Sequence, residues 1–363
     1  MDTLTDKMLL CRYGQFVREE HLLPIKVSDF YQEKIEKEIE QIGIGGPLYR
    51  SVYPVTEKLD IHTEYETRDY VEEYHHMPVT GANYIIQKYK DRVLFIITEE
   101  CFSHCQYCFR TYNLTEFKKC NTRETIVEKV SILKNYLLYH PEIKEVILSG
   151  GDPLSIGLDN LKFVLSEFEN WNIRIHTRAI VYNPFVFSEE LVCLFREKNV
   201  RLVFHINHPY EICEIVKAKI ALLNKYNVRM YAQFPLLRGI NDHPEVLIAL
   251  LELMDNLHIR PISIFITDPI MYGAAYRVSF QRIKKIADTI NWNTPSWINS
   301  VRFVLDTTWG KVRIENVIKR DGNHIVFFRD GHEIDYYDLD CKLDKPGDVK
   351  IMLWKKYYNS GEK

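Results

Sequence analysis

The chain has 363 residues and a mass of 43.1 kDa, with 46% hydrophobic and 27% charged residues, which permits a large packed core and excludes wholesale disorder. Its 47 Lys and Arg against 50 Asp and Glu leave a net charge of -3, which excludes a general nucleic-acid surface while allowing a local basic pocket. The first residues lack the basic and apolar regions of a signal peptide, and no uncharged apolar run reaches membrane-spanning length. The expectation is a cytoplasmic protein with no membrane partner, whose eight cysteines stay reduced.

Residues 1–90 read as a mostly helical, charged extension, with 32–41 as its clearest amphipathic helix. From residue 93 onward, short apolar runs at 93–98, 145–148, 173–178, 201–206, 229–233, 262–266 and 302–305 predict strands. Helical patterns at 125–139, 158–170, 188–198, 211–226, 244–256 and 279–288 fall between them. Strict alternation of this kind implies right-handed crossovers and a parallel sheet. The predicted fold is α/β, a partial or nearly closed parallel (β/α) barrel over 91–311. The tail, 312–363, predicts a small β-rich segment with strands at 314–319, 324–328 and 332–337 and turns at Asp321-Gly322 and Asp330-Gly331.

Directly after the first predicted barrel strand stands Cys101-Phe102-Ser103-His104-Cys105-Gln106-Tyr107-Cys108. A C-x3-C-x2-C run supplies three thiolates to a four-iron cluster and leaves one iron open to a small chelating molecule. Zinc is the competing reading, but it favours four ligands in paired spacings, and His104 is badly placed to share an ion with its immediate neighbours. Cys11, Cys120, Cys193, Cys213 and Cys341 are scattered; Cys193 and Cys213 lie in apolar helical surroundings and are expected to be core thiols.

After the second predicted strand comes Ser149-Gly150-Gly151-Asp152-Pro153-Leu154. Glycines let a backbone approach a ligand, and a carboxylate accepts hydrogen bonds from an ammonium group. Both motifs follow strands, so both fall on the carboxyl-end rim where such barrels place their chemistry.

The cysteine loop, with Tyr107 just before its third cysteine, resembles the signature of the radical S-adenosylmethionine (SAM) enzymes. The resemblance implies that SAM binds the open iron through its amino and carboxylate groups and is cleaved to a 5'-deoxyadenosyl radical. It narrows to the lysine 2,3-aminomutase family through Tyr89-Lys90-Asp91-Arg92, the cysteine loop, 147–154, Arg174-Ile175-His176-Thr177-Arg178, 205–212 and 236–242. In that family pyridoxal 5'-phosphate (PLP) holds the amino group as an imine, the radical removes a β-hydrogen, and the nitrogen migrates to the neighbouring carbon.

Carried over residue by residue, the resemblance makes Cys101, Cys105 and Cys108 the ligands of a [4Fe-4S] cluster. Gly150, Gly151 and Asp152 become the site for the SAM amino group, with Tyr107 beside them. Arg110 matches the arginine that pairs with the substrate carboxylate, a task suited to a planar guanidinium. Tyr89 and Arg92 match positions at the PLP ring and phosphate. Lys311, in Asp306-Thr307-Thr308-Trp309-Gly310-Lys311, is the candidate for the PLP lysine, although the family's glycine-rich turn is shorter here. Asp268 and Asp306 match the carboxylate pair that grips the distal ammonium of lysine, which favours a basic substrate.

The implied reaction is an isomerisation that moves the 2-amino group of a basic amino acid, lysine first, to carbon 3. The implied partners are a free amino acid and an electron donor such as flavodoxin or ferredoxin, with a homo-oligomer as the family's usual state. Three alternatives stay open: a PLP-independent radical SAM enzyme, an aminomutase acting on a protein-bound lysine, and a non-catalytic relative. His205 and His208 stand near a strand end, where Asn207-His208-Pro209 also makes a turn. His243 occupies the place of a cysteine that in family members binds a structural zinc with a C-terminal cysteine cluster; this tail offers only Cys341, so no such zinc is expected.

Overall fold

The computed structural model describes residues 4–116 and 121–358, so Cys120 lies outside the described residues. Nine strands form one sheet in strict chain order: β1 (Ile85–Tyr89), β2 (Arg92–Thr98), β3 (Glu145–Gly150), β4 (Asn172–Thr177), β5 (Arg201–Phe204), β6 (Arg229–Pro235), β7 (Arg260–Phe265), β8 (Arg302–Leu305) and β9 (Val312–Arg313). From β2 to β8 every pairing is parallel. These seven strands are the seven expected ones. Their cores carry runs such as Phe95-Ile96-Ile97 and Val146-Ile147-Leu148, buried on both sides, as strands covered by helices on one face and enclosed by the curled sheet on the other must be.

The sheet curls until side chains of β1 reach the loop between β8 and β9. Lys88 of β1 donates to Asp306 Oδ1 at 3.1 Å and to the Thr307 carbonyl at 2.7 Å, and the Lys311 N–H donates to the Tyr89 hydroxyl at 3.1 Å. Side chains, rather than a further backbone ladder among the described residues, close the gap, so the barrel is partial. The helices between strands begin at ordinary caps: Thr122 accepts from the Thr125 N–H and Ser188 from the Leu191 N–H.

Two sequence expectations change. Residues 85–89 read as the end of a helical extension, yet they form β1, a short edge strand paired with β2 through an irregular register. Cys193 is exposed rather than in the core: on its helix, Glu189–Glu197, the buried face is set by Leu191, Val192 and Phe195, and position 193 falls off that stripe. Cys213 is half-buried at the start of the next helix, Glu214–Lys225.

The helices Leu4–Glu19, Asp29–Ile42, Pro47–Val52 and Thr56–Asp60 pack on the barrel, and residues 24–28 and 51–52 place backbone groups against the cysteine loop. Strands β10 (Val317–Asp321), β11 (His324–Arg329) and β12 (His332–Tyr337) form a separate antiparallel sheet. It is tied on by Arg277, which donates to the Tyr336 hydroxyl at 3.1 Å, and by the stacked rings of Tyr65 and Tyr337. Among the described residues no helix is long and apolar enough to cross a membrane.

Candidate functional site

The chain leaves the carboxyl end of β2 as the cysteine loop, and the first sixty residues hold that loop from outside. The His104 N–H donates to the Lys26 carbonyl at 2.8 Å, the Ser28 N–H to Ser103 Oγ at 3.0 Å, and the Gln106 N–H to the Ser51 carbonyl at 3.0 Å. The Gln106 amide donates to the Val52 carbonyl at 3.1 Å. Lys58, buried to 5% exposure, places its ammonium 2.6 Å from the Gln106 carbonyl. Clamped this way, Cys101, Cys105 and Cys108 line one wall of a shared cavity.

Burial holds the Cys101 thiol well above its ordinary pKa, reinforced by the nearby Cys108, and pushes Cys108 up to about 12, reinforced by Cys105. Three neighbouring soft sulfur donors fit an iron–sulfur cluster. No group of three His, Cys, Asp or Glu converges on a single ion among the described residues; a cluster whose thiolates bind separate irons does not require that. Because metal binds thiolate, loading releases protons from the neutral thiols.

Gly150, Gly151 and Asp152 reach the same cavity from the end of β3. The expected use of the glycines, backbone approach to a ligand, is not the constraint the fold imposes on them. A Cβ on Gly150, whose φ is +112°, would lie 2.5 Å from the Thr98 carbonyl, and one on Gly151 would lie 2.2 Å from the Glu100 carbonyl. Their missing side chains let β3 and the start of the cysteine loop touch. Gly151→Ala is expected to destabilise the protein by about 1–3 kcal/mol through overpacking, read as a lower denaturant midpoint; an unchanged midpoint would count against this packing.

Asp152 also differs from expectation. Its carboxylate accepts from Thr177 Oγ1 at 2.8 and 2.9 Å, from the Arg178 N–H at 2.9 Å and from the Leu154 N–H at 3.1 Å, so the chain itself already takes most of its acceptor capacity. Burial raises its pKa, and these hydrogen bonds oppose the rise. Tyr107 is buried, and its hydroxyl accepts from Asn207 Nδ2.

Arg110 projects into the cavity beside the cysteines and is already paired. Its Nε donates to Glu73 Oε2 at 2.9 Å, and its Nη1 donates to Ser149 Oγ at 3.1 Å. Asn113 Nδ2 also donates to Glu73, at 3.2 Å. Glu73 lies on one 3-10 turn, Glu73–His76, entered through Glu72 at φ +53°. Across the cavity Asp268 and Asp306 follow β7 and β8. Asp306 is held by the Lys88 ammonium. Burial, then the charge of Asp306, raises the Asp268 pKa well above the carboxylate range.

Tyr89, Arg92 and Lys311 come together in the same cavity. The Arg92 guanidinium lies 3.8 Å from the Tyr89 ring centroid, and the Tyr89 hydroxyl accepts from the Lys311 N–H. Gly310, at φ +97°, is required here, because a Cβ would lie 2.8 Å from that hydroxyl. Trp309 stacks on His332 at 3.5 Å, which turns the side chain that replaces the family's glycine run away onto the small sheet. The Lys311 ammonium sits 4.6 Å from the Phe265 ring centroid, and among the described residues no carboxylate forms an ion pair with it. Burial lowers its pKa to about 8.

The cavity, about 1060 Å³, therefore holds all the expected site residues. It is lined also by Arg92, Glu145, Arg201 and Arg302, the first residues of β2, β3, β5 and β8, and so runs the length of the barrel rather than staying at the rim. His205 and His176 share the Gln233 amide, each at 3.2 Å, and burial pushes His205 down to about 3, a neutral imidazole. His208 and His243 are caps: each accepts, through Nδ1, the N–H two residues on, at 3.2 Å. Sequence reasoning missed Glu73, Lys88 and Tyr182, whose hydroxyl lies 3.2 Å from Cys105 Sγ.

A partial parallel barrel carrying a three-cysteine loop after its first parallel strand, above a cavity of this size, is the framework of a radical SAM enzyme. No protein-family model matches the chain. It is 29% identical over 302 residues to the L-lysine 2,3-aminomutase of Escherichia coli, covering 78% of this chain and 84% of that protein. It is 28% identical over 292 residues to the L-lysine 2,3-aminomutase of Haemophilus influenzae, covering 79% and 82%. A solved radical SAM methyltransferase from Sphaerobacter thermophilus superposes with a TM-score of 0.43 at 17% identity, over 61% of this chain and 67% of that one, a likeness too loose to carry an argument. These similarities, each over about four fifths of the chain, support a radical SAM protein of the lysine 2,3-aminomutase family. The radical SAM family implies a [4Fe-4S] cluster and SAM, and the donor set of Cys101, Cys105 and Cys108 fits that cluster.

Proposed function

We propose that this protein is an aminomutase that moves the 2-amino group of a basic amino acid, lysine first, to carbon 3, with a [4Fe-4S] cluster, SAM and PLP. One observation carries the reading: a lysine, an arginine, two carboxylates and three thiols share a single cavity. When bound, the cluster and SAM would supply a carbon radical, and PLP would supply a conjugated system that delocalises the unpaired electron while the nitrogen migrates.

The chain's own residues do the positioning. Arg110 receives the substrate carboxylate through its planar fork, exchanging Glu73 for it. Asp268 and Asp306 receive the distal ammonium once Lys88 turns aside; until then Lys88 neutralises one of the two carboxylates. The raised Asp268 pKa means that a cation arriving there also favours release of its proton. Lys311, its amine made available by burial, holds PLP, while Tyr89 and Arg92 flank the ring and phosphate. A small electron carrier such as flavodoxin or ferredoxin would supply the electron that the cluster needs.

The test is anaerobic reconstitution with iron and sulfide, then incubation with SAM, PLP, a reductant and L-lysine, followed by mass spectrometry. β-Lysine is the expected product. Cleavage of SAM to 5'-deoxyadenosine without an amino shift for any basic amino acid would overturn the aminomutase reading, while absence of both would overturn the cluster as well.

A further inference from the structure

Tyr182 ends the short helix Ala179–Tyr182 that follows β4. Its side chain is buried to 2% exposure, and its hydroxyl lies 3.2 Å from Cys105 Sγ. Between a phenol and a thiol either atom can donate. A thiolate bound to iron has no proton, so in the loaded protein the hydroxyl is the donor and the sulfur the acceptor.

The phenol is aimed from all sides. Its ring meets that of Tyr31 edge-on at 4.8 Å and 84°, and the Arg178 guanidinium lies 4.5 Å from its centroid. Its backbone carbonyl accepts from Ser28 Oγ. Arg178 is fixed in turn by Glu211 Oε1 at 2.6 Å, which also accepts from the Tyr31 hydroxyl at 2.9 Å. Tyr107, the other tyrosine near the loop, has its hydroxyl engaged by Asn207.

Reduction adds negative charge to a cluster and its sulfurs, and a hydrogen bond to a ligand sulfur stabilises the reduced form more than the oxidised one. We propose that Tyr182, through a hydrogen bond from its hydroxyl to Cys105 Sγ, is a positioning residue that raises the reduction potential of the cluster. This rests on the reading of Cys105 as a cluster ligand.

The experiment is a redox titration of the anaerobically reconstituted full chain without SAM, followed by electron paramagnetic resonance of the reduced cluster. Tyr182→Phe is expected to shift the reduction equilibrium roughly tenfold toward the oxidised form, about 59 mV more negative for one electron, with iron and sulfide content unchanged. Tyr31→Phe, which removes a hydroxyl that touches Glu211 and not the sulfur, is expected to leave the potential in place. An unchanged or more positive potential in Tyr182→Phe, or an equal shift in Tyr31→Phe, overturns the assignment. Should Tyr182→Phe fail to hold iron, 3-fluorotyrosine at position 182 keeps the ring and makes a stronger donor. Its potential is expected to rise, and no change would again overturn the role of Tyr182. Wild-type protein that takes up no iron sinks the cluster reading and this inference together.

Discussion

Lys311→Ala should abolish the pyridoxyl adduct that borohydride traps on this protein after PLP addition, and with it the amino shift, while leaving iron content and unfolding midpoint close to wild type. The expectation rests on where the ammonium sits. It lies against the Phe265 ring with no ion-paired carboxylate, so burial disfavours its charged form and brings the pKa to about 8. Only the free amine attacks an aldehyde, so the sign is fixed: trapping speeds up as pH rises through about 8 and slows roughly tenfold for each unit below it. A surface lysine would still be gaining at pH 10. Peptide mapping decides the site. An adduct on Lys88, the other lysine that lines the cavity, or a trapping rate that keeps rising to pH 10, would remove Lys311 from the role. Loss of the adduct with retained SAM cleavage would separate the PLP site from the cluster.

The barrel and its cysteine rim were legible because their signals are local. The runs at 93–98 and 145–148 are apolar over consecutive residues, and the motifs follow them without a break, so strand, loop and chemistry share a few residues. Arg110 and Asp306 were named from the family resemblance, each close behind a recognisable element, and both line the cavity. Glu73 was not. It approaches Arg110 across 37 positions of chain, from an irregular segment entered through a left-handed residue, and no periodicity marks it. Lys88 was hidden because β1 is a short edge strand, Ile85–Tyr89, whose partner Asp306 is 218 residues away. Tyr182 falls between the strand expected at 173–178 and the helix expected at 188–198, where no motif marks it; only tertiary folding brings its hydroxyl to a sulfur.

The Gly150-Gly151-Asp152 turn shows a different limit. The residue types pointed to a place where backbones come close and a carboxylate accepts hydrogen bonds, and both hold. The partners, however, are Thr98, Glu100, Thr177 and Arg178 of the chain itself. Composition tells what a group can do; whether a ligand or the protein takes the offer depends on packing. The same ambiguity governs the charges that face the substrate, since both Arg110 and Asp306 are satisfied internally.

That internal pairing yields the second large effect. Arg110→Ala should lower stability by about 3–5 kcal/mol, because it strands the Glu73 carboxylate in a buried setting with only Asn113 to donate to it. Its side chain is 7% exposed and that of Arg110 is 9%, so solvent does little to soften the loss. Glu73→Gln acts oppositely on binding. The amide keeps the shape and one acceptor, but it no longer competes as an anion for the guanidinium that the substrate carboxylate must reach. A hydrogen bond to a charged group is worth roughly 1.5–3 kcal/mol, so the KM for the amino acid should fall about tenfold or more, with kcat changed far less. Double replacement, Glu73→Gln with Arg110→Gln, should recover much of the stability lost in Arg110→Ala without restoring activity, because two neutral amides leave no buried charge unpaired and no cation for the carboxylate. Steady-state kinetics on the single variant and denaturant unfolding of all three separate the two roles of the pair. A KM that rises in Glu73→Gln would mean that Glu73 orients Arg110 for its substrate instead of contesting it. An Arg110→Ala protein as stable as wild type would mean that the ion pair contributes little to the fold.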